Sequence, residues 1–135
     1  MHKEANVKLV QSLGALAFTP LLASAVPAAA KVGGVYPLTH GIYVQEGTSC
    51  KGAPNAAIRT YDGGGIGDPH SHACLTHVLL RQGRRYSVTQ SCIDAGVGSG
   101  PRISERQIVT VSNATSFTIA TGGQGLGYRY CPVVF

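Results

Sequence analysis

The residues of this 135-residue chain best equipped for chemistry sit in two glycine-rich segments. The first, Asp62–His72 (DGGGIGDPHSH), carries Asp68, His70 and His72. A His-x-His pair in extended backbone turns both imidazoles to one side, and neutral imidazole is a ligand for zinc, copper or nickel. A third ligand would have to come from Asp68, Asp94 or His77. The second segment, Asp94–Ile103 (DAGVGSGPRI), carries Asp94, Ser99 and Arg102. Ser99 with a histidine and an acid behind it has the group types of a nucleophile, a base and an orienting carboxylate. It lacks the G-x-S-x-G frame and the helix that follow from a nucleophile elbow. Arg102 follows Pro101, and its planar guanidinium suits an anion, the plainer alternative being a surface pair with Glu105. No Lys-Ser or Lys-Thr follows the run Asp62–Asp68, so it is no phosphate cradle, and no other cofactor motif is present.

Something rigid has to hold those segments, and the chain between them reads as strands. Short β-branched and aromatic runs alternate with Gly, Pro, Asn and Asp, and no apolar run has a 3.6-residue period. Seven strands are expected, at about 41–49, 56–62, 73–81, 85–93, 104–111, 116–121 and 127–134. The fold class is therefore all-β: a small antiparallel up-and-down barrel or sandwich. Its clearest unit is a hairpin across Gln82-Gly83-Arg84, in which Leu80 faces Tyr86, Val78 faces Val88, Thr76 faces Gln90 and Cys74 faces Cys92. One face of its second strand, Arg85, Ser87, Thr89 and Ser91, reads as solvated.

If successive strands are antiparallel neighbours, connections alternate between two ends. One end collects the compact links Cys50–Asn55, Gln82–Arg84 and Ser112–Thr115. The other collects Asp62–His72, Asp94–Ile103 and Thr121–Gly127, which makes Asp68, His70, His72, Asp94, Ser99 and Arg102 a candidate binding rim. The four cysteines have no metal-knuckle spacing. The same alternation selects the disulfides Cys74–Cys92 and Cys50–Cys131, the second joining the first strand to the last.

The chain opens with Lys3 and Lys8 ahead of an apolar run from Leu9 to Val26 and two small-residue cleavage sites. Residues 1–30 therefore read as a signal peptide, cut after Ala25 or Ala30, and 31–135 as one exported β domain, periplasmic or extracellular, with no membrane span after cleavage. Losing Lys3, Lys8 and Glu4 takes the formal charge from +5 to +4. The only basic cluster, Arg81, Arg84 and Arg85, flanks a turn, which is no nucleic-acid footprint. Asn113-Ala114-Thr115 reads as a turn, and as a glycosylation acceptor only in a host that modifies secreted chains.

Ser99-Gly100-Pro101-Arg102 resembles the Ser-Gly loop of small exported bacterial β-barrel proteins, some of which inhibit lysozyme; their second, lysine-bearing motif has no counterpart here. The expectation is a non-catalytic exported binding module that meets a protein, in an inhibitor-type interaction for instance, or a small ligand through its rim loops, without cofactor. Two alternatives stay open: a metal-dependent or hydrolytic enzyme using the rim histidines, and a structural envelope protein.

Overall fold

In the computed structural model, residues 14–24 and 29–132 are described. The first 13 residues, the Ala25 cleavage position and the last two residues of the expected final strand lie outside them. The described residues form one antiparallel sheet of eight strands: β1 (Gly41–Gln45), β2 (Ile58–Tyr61), β3 (Ile66–Gly67), β4 (His72–Gln82), β5 (Arg85–Ile93), β6 (Arg102–Asn113), β7 (Ser116–Ala120) and β8 (Leu126–Cys131). The only helical element among these residues is a 3-10 turn at Asn55–Ala57. Strand order is β3-β2-β1-β8-β7-β6-β5-β4, so the sheet curls into a barrel with its seam between β3 and β4.

Both expected disulfides, Cys74–Cys92 and Cys50–Cys131, are present, and they point to the oxidising surroundings that exported proteins meet. No helix of the described residues is long and apolar enough to cross a membrane.

The eighth strand is β3, two residues inside the segment read from sequence as one long loop. It changes the parity of the barrel, so β1 and β8 run antiparallel, with Tyr43 opposite Tyr130 and Ile42 opposite Cys131. It also splits the loop in two. Asp62–Gly65 turns at one end of the barrel and Asp68–Ser71 at the other. The connection Glu46–Ala57, whose Cys50–Asn55 stretch was expected among the compact links, emerges instead beside Asp68–Ser71, Asp94–Pro101 and Thr121–Gly125. It folds back outside β1 and β8, where Cys50 reaches Cys131 and Arg129 Nη2 donates to the Thr48 carbonyl at 2.6 Å.

The central hairpin follows the expected register from Thr76↔Gln90 to Val78↔Val88. A bulge at Leu79 then shifts it, so Leu80 faces Ser87 rather than Tyr86. That extra residue lets the strands close through a two-residue loop, where Gly83 takes φ 59°.

The end opposite the long loops is sealed. Residues 31–40, assigned no structure from sequence, double back through a Val32↔Thr39 bridge and push Tyr36 and Leu38 into the barrel. There they meet Tyr43, Tyr61, Tyr86, Val109, Val111, Phe117 and Tyr128, all buried. Tyr36 meets Tyr86 edge-on at 5.1 Å, a favoured aromatic geometry. The Tyr61 hydroxyl accepts from the Tyr36 N–H at 2.9 Å and lies 2.9 Å from the carbonyls of Gly33 and Tyr36. Burial pushes the Tyr36 and Tyr61 phenols above their ordinary range and Tyr43 up to about 12.

Candidate functional site: a polar cup in the barrel mouth

Directly paired residues share a face, so β6 shows what the barrel interior becomes towards the long loops. Val111 and Val109 lie at the sealed end, and Gln107, Glu105 and Ile103 follow on the same face. Across from them on β5 stand Tyr86, Val88, Gln90 and Cys92. The strand passes from valine through carboxamide to carboxylate in three side-chain layers. Packing stops where polarity starts, leaving a cavity of about 340 Å³ that opens among the loops. That is the lower end of the range for small-molecule sites.

Arg59 enters from β2, its guanidinium 5.0 Å above the Tyr128 ring, and Nη1 donates to the carbonyls of Ile58 and Ala56 at 2.7 and 3.1 Å. Ile66, Ile103 and Ile119 supply the apolar wall, and Asp68, Ser71, Asp94 and Thr121 stand at the mouth. Gln107 Nε2 donates to Glu105 Oε2 at 3.2 Å. Its Oε1 is buried and has no hydrogen-bond partner. Flipping the amide would set two oxygens against each other, so the orphan is the acceptor.

Gln90, 6% exposed, closes the seam. Its Oε1 accepts from the Ile66 N–H and its Nε2 donates to the Ile66 carbonyl, both at 2.7 Å. A side-chain amide thus stands in for a backbone peptide at the point where β3 is too short to pair with β4. One backbone bond assists, from the Thr76 N–H to the Gly64 carbonyl at 3.0 Å. Gly65 permits the approach, since a Cβ there would sit 2.8 Å from that of Cys74.

The six residues expected at a rim are distributed as follows. Asp68 and Asp94 line the cup. Asp68 Oδ1 also holds its own turn, accepting from the His70 N–H at 2.8 Å and the Ser71 hydroxyl at 3.1 Å. His70 is exposed on that turn, and Ser99 is exposed on the neighbouring loop. The two loops touch: His72 Nδ1 lies 2.6 Å from the Ala95 carbonyl, and a Cβ on Gly96 would sit 3.4 Å from the Pro69 carbonyl. His72 lines a separate groove of about 220 Å³ along the β3–β4 seam. Arg102 starts β6 on its outer face. It does not pair with Glu105, and its Nη1 donates to the carbonyls of Ser91 at 2.8 Å and Ala73 at 3.2 Å.

Among the described residues, no three or more His, Cys, Asp or Glu side chains are grouped to hold a metal ion. The sequence reading passed over Arg59, Gln90, Glu105 and Gln107, which build the cup wall. The signal was present: Glu105 and Gln107 are in phase with Val109 and Val111, polar residues on the core face of a strand. In comparison with known proteins, no family model, curated protein or solved structure matches this chain.

Proposed function

We propose that this chain is an exported, non-catalytic binding module whose ligand enters the polar cup. The observation that carries this is a cavity of about 340 Å³, lined by unlike polar groups, in the mouth of a barrel sealed at its other end. Binding sites are concave, largely preformed and furnished with a few placed polar groups, and the wall of this one rests on a disulfide-braced strand frame. Export is supported by the two disulfides and by residues 14–24, which carry no helix or strand and leave Leu21 98% exposed and Phe18 94% exposed. Apolar side chains so far from any core suit a leader that is removed. Periplasm and extracellular medium both fit.

The test is an amide chemical-shift titration of the oxidised, ¹⁵N-labelled protein with a panel of small amines, carboxylates and sugars. Ligand-induced shifts are expected at Gln90, Glu105, Gln107 and Thr121. Shifts confined to the outer strand faces, or none with any class of probe, would refute a cup that binds.

A further inference from the structure

Resting on that reading, we infer that the cup is a site for a small organic cation, an ammonium or guanidinium group carried on a short chain. The chain has 11 Lys and Arg against 6 Asp and Glu, so an average cavity would be lined by an excess of cations. This one inverts the ratio. Asp68, Asp94 and Glu105, half of all the acidic residues, line it, against one arginine. That arginine is already engaged. Arg59 gives Nη1 to two backbone carbonyls and lies over Tyr128, so its charge is held at one wall.

The hydrogen-bonding balance points the same way. Gln107 spends its Nε2 on Glu105 and leaves a buried Oε1 without a donor. That Oε1 is closed to solvent, so the acceptors a guest in the cup meets are the carboxylate oxygens of Asp94 and Glu105, both exposed. Ammonium and guanidinium are donors only, so they satisfy acceptors and carboxylates without leaving a lone pair unmatched. A bare metal ion is a poorer fit, because the carboxylates do not converge into a group of three. The isoleucine wall would take the aliphatic part of the guest, as long amine side chains bury their stems against apolar surface. The cation can be a free amine or the tip of a lysine or arginine from another protein.

The experiment uses the oxidised full chain in low-salt buffer at pH 7, titrated with 1,4-diaminobutane, agmatine and N-acetyl-lysine methylamide. Succinate and glucose are the anionic and neutral controls. Saturable shifts at Glu105, Gln107 and Thr121 are expected with the cations alone, weakening in 1 M salt as exposed charges are screened. Preference for the capped lysine over diaminobutane would identify a protein side chain as the guest, and the reverse a free amine. Glu105→Gln keeps the shape and removes the charge, and should weaken binding about ten-fold, the effect of one charge-assisted hydrogen bond. Asp94→Asn, at the exposed mouth, is the second variant, and an unchanged amide spectrum away from the cup certifies that each is folded. Succinate or glucose shifting the cup while the cations do not would overturn the cation assignment and leave the binding site standing. Silence from every probe would remove the binding reading itself. Equal affinity of both variants and the parent would also overturn the assignment.

Discussion

The two ends of the barrel are made from the same strands and differ in what fills them. At the sealed end, Tyr36 and Leu38 descend from the segment before β1 and meet a ring of buried tyrosines, phenylalanine and valines. At the open end, the inward positions of the same strands carry Arg59, Gln90, Glu105 and Gln107, and a cavity remains. A polar residue on a core face costs stability unless it is satisfied. The sealed end therefore holds the fold together, and the open end is free to be shaped for something else. Substitutions at the two ends should separate cleanly.

The disulfides give the largest expected contrast. Cys50–Cys131 spans 81 residues and Cys74–Cys92 spans 18, so loop-closure entropy assigns them about 4.5 and about 3 kcal/mol. Urea denaturation of the paired Cys→Ser variants should show the Cys50/Cys131 pair as the more destabilised. The reverse order would mean that the Cys74–Cys92 bond contributes mainly through the geometry of the open-end seam.

Leu38→Ala comes next. Leu38 is fully buried in the plug, and truncation should cost about 2–5 kcal/mol. Glu105→Gln in the cup should stay within about 0.5 kcal/mol of the parent. Similar losses for the two would erase the distinction between scaffold and site.

Gln90→Leu tests the boundary between them. It keeps the bulk but orphans the Ile66 N–H and carbonyl, at about 1–3 kcal/mol for each unsatisfied group. Amide exchange at Ile66 and Thr76 should accelerate more than exchange at Val109. If only global stability falls, the seam is not an independently opening unit.

A gentler perturbation is alkaline pH. The folded state holds the phenolic protons of Tyr36, Tyr43 and Tyr61 more tightly than an unfolded chain, in which tyrosine ionises near 10. Stability from this source is complete below pH 10 and falls as pH rises through 10 towards 12. Tyrosinate absorbance should therefore show the exposed phenols ionising first and the plug phenols ionising together with unfolding. A single transition near pH 10, with the fold intact, would show that the plug is wet.

Much of this architecture was legible in the residues, and what escaped did so for physical reasons. Strands declare themselves by alternation, and Cys74, Thr76 and Val78 opposite Cys92, Gln90 and Val88 left the hairpin little choice of register. Two residues cannot alternate, so Ile66–Gly67 passed as loop, and with it went the parity that decides which end each connection occupies. Residues 31–40 are anchored by Tyr61, a partner far along the chain, and no local pattern announces that. Composition points to a rim of glycine-rich loop residues, whereas the cup wall stands on strands, in the inward positions that depart from apolar. The guanidinium of Arg102 suits an anion by its chemistry, and the strand phase puts it on the outer face.

The smallest expected effect sits at Ala73, the one non-glycine residue with positive φ among the described residues, at 49°. It lies in the irregular step between His72 and Leu75 that brings Cys74 to Cys92, so the open end carries a local backbone cost that the sealed end does not. A left-handed alanine costs about 1–2 kcal/mol. Ala73→Gly removes that cost but returns about 0.4–1 kcal/mol of freedom to the unfolded chain, and Ala73 is exposed, so no packing is lost. The net gain should be about 0–1.6 kcal/mol. Ala73→Val, β-branched and poorly tolerated at positive φ, should lose more than glycine gains. Urea midpoints in the order Gly, Ala, Val, with unchanged slope, would place this strain at the open end. Indistinguishable midpoints for alanine and valine would mean that the backbone there is not left-handed in solution, and that Cys74 reaches Cys92 along an ordinary strand.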